Sequence, residues 1–361
     1  MKKFLMMAAV ALMAATGALA QRIQVVDSEG NPVSYASVLN PKAEYIGITD
    51  LEGVVPDLKG AKDITVTHVA FKTKTVKVSG KDLIVTLEDA DFNMPEITVQ
   101  PKPFIYVQTY SRLYIYNSKE GIMYYRAGLT DNTYDTAKKT VAGKTAAVSK
   151  AKKAILKTLF GMLTPVLNQH CQIQPKTFEE RMQKHAKECQ VKFTEVAPDR
   201  QTITDFKGTI GSVIDDMSDH QRRYSCNFSE LYMHELEAKG KDKEVKRINK
   251  ATEKVSNSED ADYFLYHIDD NGHYGPEDFI MSQYMSSWDR EEDGKNVHWI
   301  LALQVYSTDR AYVTKDELKQ RQKANKMKMN YANVRQFERD HSIPALVPAV
   351  QAKLNELWKS E

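Results

Sequence analysis

Two short stretches set histidine beside glutamate at spacings that zinc hydrolases use. His234-Glu235-Leu236-Glu237-Ala238 opens like H-E-x-x-H, but Ala238 stands where the second histidine belongs. A zinc ion bound there would lack a second ligand one helical turn away. His185-Ala186-Lys187-Glu188 has an H-x-x-E spacing, with His298 far downstream as a notional third ligand. It lies in a charged, helix-like segment that supplies no further ligand. His170, Cys171, His185 and Cys189 bring four metal-binding side chains into twenty residues, yet not as C-x-x-C pairs. The sequence therefore predicts no metal site, no cofactor and no catalytic constellation.

Three further patterns fail comparable tests. Gly208-Thr209-Ile210-Gly211-Ser212 is not G-x-S-x-G, so no nucleophile elbow is encoded. Asp269-Asp270-Asn271-Gly272 resembles part of a calcium loop, but His267 would fill the first ligand position; a tight turn is the expectation. Tyr106, Tyr110, Tyr114, Tyr116, Tyr124 and Tyr125 are spaced as exposed aromatics that could stack on sugars, although tyrosine is also a good strand former. Paired carboxylates brought together by the fold are invisible at this level, since acidic residues are plentiful.

The elements that would carry these residues begin with a turn. Asp27-Ser28-Glu29-Gly30-Asn31-Pro32 holds turn-forming residues between the β-prone stretches Ile23 to Val26 and Tyr35 to Leu39. This predicts a hairpin-like strand, turn and strand. A second turn runs from Thr49 to Gly53, followed by Ile64 to Val69, Thr75 to Val78 and Leu83 to Leu87. Short strands at this spacing predict a small β-sandwich.

These residues resemble a known family. D-x-x-G-x-P-V-x-x-A-x-V at Asp27 to Val38 is followed by G-x-T-D-x-x-G at Gly47 to Gly53. Ile64 to Phe71 then ends in V-A-F, Val85 to Leu87 reads V-T-L, and Pro95 to Val99 reads P-E-I-T-V. Together they look like the carboxypeptidase regulatory-like domain, over about residues 21–100. Two features depart from the pattern: Gln24-Val25 replaces the glycine before the first turn, and Val54-Val55-Pro56 replaces an aromatic after the second. The resemblance implies a transthyretin-like β-sandwich of secreted and outer-membrane Bacteroidetes proteins. It also implies an accessory module, not an enzyme.

Pro101-Lys102-Pro103 marks a stiff boundary, and residues 101–361 form a second, α+β domain. Tyr106 to Tyr116 and Ile122 to Tyr125 open it as strands. Thr136 to Phe178 contains eight lysines and no acidic residue. Within it Val148, Ala151, Ile155, Leu159 and Met162 fall on one helical face, opposite Lys150, Lys153 and Lys157. That helix would offer a basic face to an anionic membrane surface, or simply to water. Residues 202–313 return to strands, at Cys226 to Phe228, Leu231 to Met233, Tyr263 to Ile268, Phe279 to Met285 and Val297 to Tyr306. Long hairpins of an antiparallel sheet are expected. Thr314-Lys315-Asp316-Glu317 starts a helix with the stripe Met327, Tyr331 and Val334, and Val350, Leu354, Leu357 and Trp358 mark a terminal helix. The fold class expected is mainly β with α+β character: an N-terminal sandwich, then an antiparallel-sheet domain with helices.

Lys2 and Lys3, an apolar run from Phe4 to Met13, and Ala18-Leu19-Ala20 make a secretory signal with cleavage near Ala20. The apolar core is shorter than the roughly 20 residues a membrane span needs. Of 50 basic and 48 acidic residues, removal of Lys2 and Lys3 leaves 48 of each. A neutral chain argues against a nucleic-acid binder. In an oxidising compartment Cys171 or Cys189 would pair with Cys226 as a structural disulfide, leaving one thiol. The functional expectation is an exported protein, periplasmic, secreted or associated with the outer membrane. It would act non-enzymatically in binding, assembly or accessory work, with an envelope protein or glycan as partner. Two alternatives are a hydrolase of peptides or glycans with a site within residues 104–313, and a periplasmic lipid or lipoprotein carrier.

Overall fold

The computed structural model describes residues 22–42, 44–55, 57–58, 60–79, 82–92, 102–152, 176–253, 255–325 and 330–359. The chain is mainly β with α+β character. Its N-terminal part has seven short strands: β1 (Ile23–Val26), β2 (Ser37–Leu39), β3 (Tyr45–Ile48), β4 (Val54–Val55), β5 (Asp63–His68), β6 (Phe71–Lys77) and β7 (Leu83–Thr86). They form two sheets, in the orders β4-β1-β7 and β3-β2-β5-β6. The faces are apolar by alternation, so Ile23, Val25, Val38, Ile64, Val66 and Val85 are buried between them.

The hairpin expected around Asp27 to Pro32 is not formed. After a single bridge from Val26 to Pro32 the chain leaves the first sheet, and β2 pairs with β3 and β5 in the second. Asp27 holds the turn by accepting from Glu29 N at 3.0 Å and Asn31 N at 2.8 Å. Gly53, at φ +72°, closes the second turn; a Cβ there would meet Val25 O at 2.3 Å, so no other residue fits.

The second part is one ten-stranded sheet with every neighbouring pair antiparallel, in the order β10-β9-β8-β17-β16-β15-β14-β13-β12-β11. These strands are β8 (Phe104–Asn117), β9 (Gly121–Asp135), β10 (Thr140–Lys152), β11 (Lys192–Ala197), β12 (Arg200–Thr204), β13 (Thr209–Asp216), β14 (Gln221–Cys226), β15 (Val255–His267), β16 (Phe279–Glu292) and β17 (Lys295–Val313). The helices are α1 (Phe178–Cys189), α2 (Phe228–Ala238), α3 (Asp242–Ala251), α4 (Lys315–Ala324), α5 (Tyr331–Asp340) and α6 (Pro348–Lys359). Along β17, Ile300, Ala302 and Tyr306 face a core shared with the sandwich, α5 and α6. The alternate residues Leu301, Leu303 and Val305 face a second core with α1 and α2.

Three expected elements differ. Residues 140–152 form a strand, paired with β9 from Thr140 against Asp135 to Lys152 against Tyr124. The helical face combining Val148 and Ala151 opposite Lys150 is therefore absent, because long-range pairing overrides local helical periodicity. Lys153, Ile155, Lys157, Leu159 and Met162 lie outside the described residues. Leu231-Tyr232-Met233 is not a strand but the middle of α2, and of the strand expected at Cys226 to Phe228 only Cys226 is one: the Asn227 side chain caps α2, which begins at Phe228, by accepting from Glu230 N at 2.9 Å. The helix beginning at Thr314 stops at Ala324, and Asn330 caps a separate helix by accepting from Asn333 N at 2.9 Å. Among the described residues no helix is long and apolar enough to cross a membrane.

Candidate functional site

The fold rearranges the residues singled out for chemistry. His185 on α1 pairs through Nδ1 with Glu235 on α2, which also takes Lys239, and not with Glu188. The neighbouring His234 pairs with Asp205. His298 is elsewhere, bonded to Asp289 at 2.6 Å and stacked on Tyr45 at 5.0 Å. Each pair ties one element to another, and among the described residues no three of His, Cys, Asp or Glu gather to hold a metal.

Cys189 and Cys226 are both buried and free, against the expected disulfide between Cys226 and either Cys171 or Cys189. Burial, with the nearby Asp205 and Glu235, pushes the Cys189 thiol up to about 11, which leaves it protonated and unreactive near neutrality. His170 and Cys171 lie outside the described residues. Asp269 to Gly272 is a tight turn, with Asp269 accepting from Asn271 N and His273 N at 2.8 Å each. Gly208 precedes β13 in another turn. The tyrosines expected on the surface are not there: Tyr106, Tyr110, Tyr116, Tyr124 and Tyr125 are buried and Tyr114 is half-buried. Their strands lie in the middle of the sheet, covered on both faces, so no row of exposed rings is offered to a sugar.

A cavity of about 530 Å³ lies where three parts of the chain meet. Its floor is the face of β8, β16 and β17, one wall is the sandwich sheet at Leu39, Tyr45, His68 and Phe71, and the other is the irregular segment Ser342–Val347 between α5 and α6 with the start of α6. Strand register orders the floor. Tyr116 faces Ile300, Tyr114 faces Ala302, and Arg112 faces Gln304; on the far side of β17, Met285 faces Ala302 and Gln283 faces Gln304. Tyr116 lies four positions along β8 from Arg112, so the polar and apolar ends stand about 13 Å apart along the strand.

At the apolar end Tyr116, Ile122, Ile300, Leu346 and Val350 close in. At the other end Arg112, 2% exposed, meets Glu338 of α5, 3% exposed, at 3.2 Å. Arg112 also donates from Nε to Gln304 Oε1 at 2.7 Å, and its guanidinium lies 5.7 Å from the Tyr306 ring. Burial opposes the charge on Arg112, but Tyr306 and Glu338 outweigh it and hold its pKa above the ordinary value. Glu338 accepts from Arg112 and from Tyr110 OH at 2.8 Å through Oε1, and from Arg335 through Oε2. Burial pushes the Tyr306 hydroxyl up to about 12, so it stays protonated. At the rim Lys72 pairs with the exposed Asp91 at 3.0 Å, and Arg339 is exposed.

Such an arrangement offers apolar surface and a short row of polar groups to a ligand. Glu338 is drawn into ion pairs with two arginines and a hydrogen bond from a tyrosine, which tie α5 to the sheet. Arg112, Gln283, Gln304 and Glu338 went unrecognised in the sequence. A signal existed in Tyr110-Ser111-Arg112-Leu113-Tyr114, where a charge interrupts an aromatic strand. The glutamines acquire meaning only through the register that brings them beside Arg112.

No family model and no curated protein matches the chain. Among solved structures, a porin-like protein from Bacteroides uniformis aligns at 10% identity and a TM-score of 0.11, covering 60% of this chain and 100% of that one. So low a score carries no argument about fold or function.

Proposed function

We propose that this protein is a non-enzymatic ligand-binding protein of the bacterial cell envelope, exported on removal of residues 1–20. In this reading residues 21–100 are an accessory sandwich of the carboxypeptidase regulatory-like kind, serving as one wall of the binding site. The observation that carries it is the cavity of about 530 Å³ between sandwich, sheet and C-terminal segment, within the roughly 300–1,000 Å³ of small-molecule sites. Its walls are mostly apolar with a few convergent polar groups, the composition such sites share.

The test uses N-phenyl-1-naphthylamine, a neutral apolar dye that brightens on leaving water. The purified protein should enhance its emission with saturable, one-to-one binding. Ile300→Trp, which fills the apolar end, should cut the affinity at least tenfold without loss of the folded circular dichroism spectrum. Equal binding by the two proteins would place the site elsewhere and refute the reading.

A further inference from the structure

The polar row across the floor has a direction. Arginine only donates hydrogen bonds. Arg112 Nε therefore requires the oxygen of Gln304, which turns the Gln304 amide nitrogen toward β16. That nitrogen donates to Gln283 Oε1 at 3.0 Å, so Gln283 must in turn present its own amide nitrogen away from the row. Amide orientation is here fixed by the hydrogen-bond network, as it must be for any glutamine.

The last donor has no acceptor. Gln283 is 4% exposed and lines the cavity, yet its Nε2 makes no hydrogen bond among the described residues. His68 lines the cavity close by, but its own unpartnered nitrogen is shut off from that space. His68 accepts from Ala70 N through Nδ1 at 3.2 Å, which puts its proton on Nε2, and Nε2 has no hydrogen-bond partner. His68 stands edge-on to Tyr263 at 4.4 Å, and Tyr263 is the cross-strand neighbour of Gln283 on β15. Gln283 Nε2 is thus a donor that keeps contact with the cavity, and a donor is complemented there by an acceptor oxygen.

Charge narrows the class. Lys72, Arg112 and Arg339 line the cavity against Asp91 and Glu338, three cations to two carboxylates. The excess is positive and lies at the polar end or the rim, while Tyr116, Ile122 and Ile300 about 13 Å away offer only apolar surface and one phenol. From these observations we infer that the cavity takes a single-chain amphiphile with a carboxylate head, a fatty acid or a close analogue. The head accepts from Gln283 Nε2 at the end of the Arg112-Gln304-Gln283 row, and the alkyl chain runs along the sheet toward Ile300 and Ile122. This assignment rests on the cavity being the binding site.

Competition against bound N-phenyl-1-naphthylamine tests it, with dodecanoate and dodecan-1-ol as competitors. Dodecanoate should displace the dye at a concentration at least tenfold lower than the alcohol, because a site built to hydrogen-bond one head group discriminates against another. Gln283→Glu keeps the acceptor that Gln304 needs but sets a negative charge against the head, and should abolish the preference, read as the ratio of acid to alcohol displacement at each protein's own dye affinity. Gln283→Met, which removes the donor without adding charge, is the second variant should the first fold poorly. Equal displacement by acid and alcohol, or an unchanged preference in both variants, overturns the carboxylate assignment and leaves the binding reading standing. Dye binding with no displacement by either competitor overturns the amphiphile class. Absence of dye binding by the parent protein overturns both.

Discussion

His68 is buried between the sandwich and the sheet, where desolvation, aided by the charge of Arg223, lowers its pKa from 6.5 to about 3. The unfolded chain takes up this proton as pH falls through 6.5, and the folded chain does so only near 3. Unfolded protein thus binds more protons in that window, and stability is lost as pH falls through it. At pH 5 the loss from this one residue is about 2 kcal/mol. Urea unfolding at pH 7.5 and 5.0 should show a smaller drop in His68→Gln than in the parent, by about that amount. Equal drops would mean the folded protein accommodates the charge. Asp27 belongs to the same scale. Its turn was legible from Asp-x-x-Gly-x-Pro, but its second role was not. Oδ2 of Asp27 takes Arg223 of β14, a residue 196 positions away. No local pattern reports a partner at that distance.

Helix starts were the most legible elements, because a cap and its partner lie three residues apart. The capping box at Thr314 and Glu317 was evident; the same device at α1 was overlooked in a lysine-rich stretch taken as one basic region. There Thr177 Oγ1 accepts from Glu180 N and Glu180 Oε2 accepts from Thr177 N, both at 3.2 Å. Thr177→Ala should lower stability by about 1 kcal/mol, read from the midpoint of urea unfolding at constant slope. An unchanged midpoint would show that packing of Phe178 alone holds the helix start. Strands were legible where both faces are apolar and the hydrophobic run is nearly continuous, as in β16 and β17. β10 was not, because its residues 142–145 are exposed and its pairing with β9 leaves no apolar alternation in that stretch. The cavity was the least legible feature, being assembled from β8, β16, β17, the sandwich and a segment near the C-terminus.

At the scale of the whole molecule, the sandwich is joined to the sheet by a buried charge cluster. Arg223 meets Asp27, Asp216 at 3.4 Å and Asp89 at 3.8 Å, with Phe71 beneath the guanidinium at 5.3 Å. Removing the cation leaves buried carboxylates without compensation, a change that typically costs about 3–5 kcal/mol. The three tryptophans, Trp288, Trp299 and Trp358, all lie outside the sandwich, so their fluorescence follows the sheet and its helices. In the parent protein fluorescence and far-ultraviolet circular dichroism should give one coincident unfolding transition, since both parts share a core. Arg223→Met should separate the two signals, with part of the dichroism lost first. Coincident transitions in the variant would show that apolar packing alone couples the parts.

The pairing of β8 with β17 has a consequence for how the chain is made. Arg112 and Gln304, side by side in the finished sheet, are 192 residues apart. During synthesis β8 and β9 emerge early and can pair at once, but the other edge of β8 stays open until β17 leaves the ribosome. An open strand edge is a template for the wrong neighbour. High contact order also makes the final closure slow. A nascent or translocating chain therefore passes through a prolonged stage in which a central strand is exposed, and its yield should depend on holdase chaperones more than its final stability would indicate.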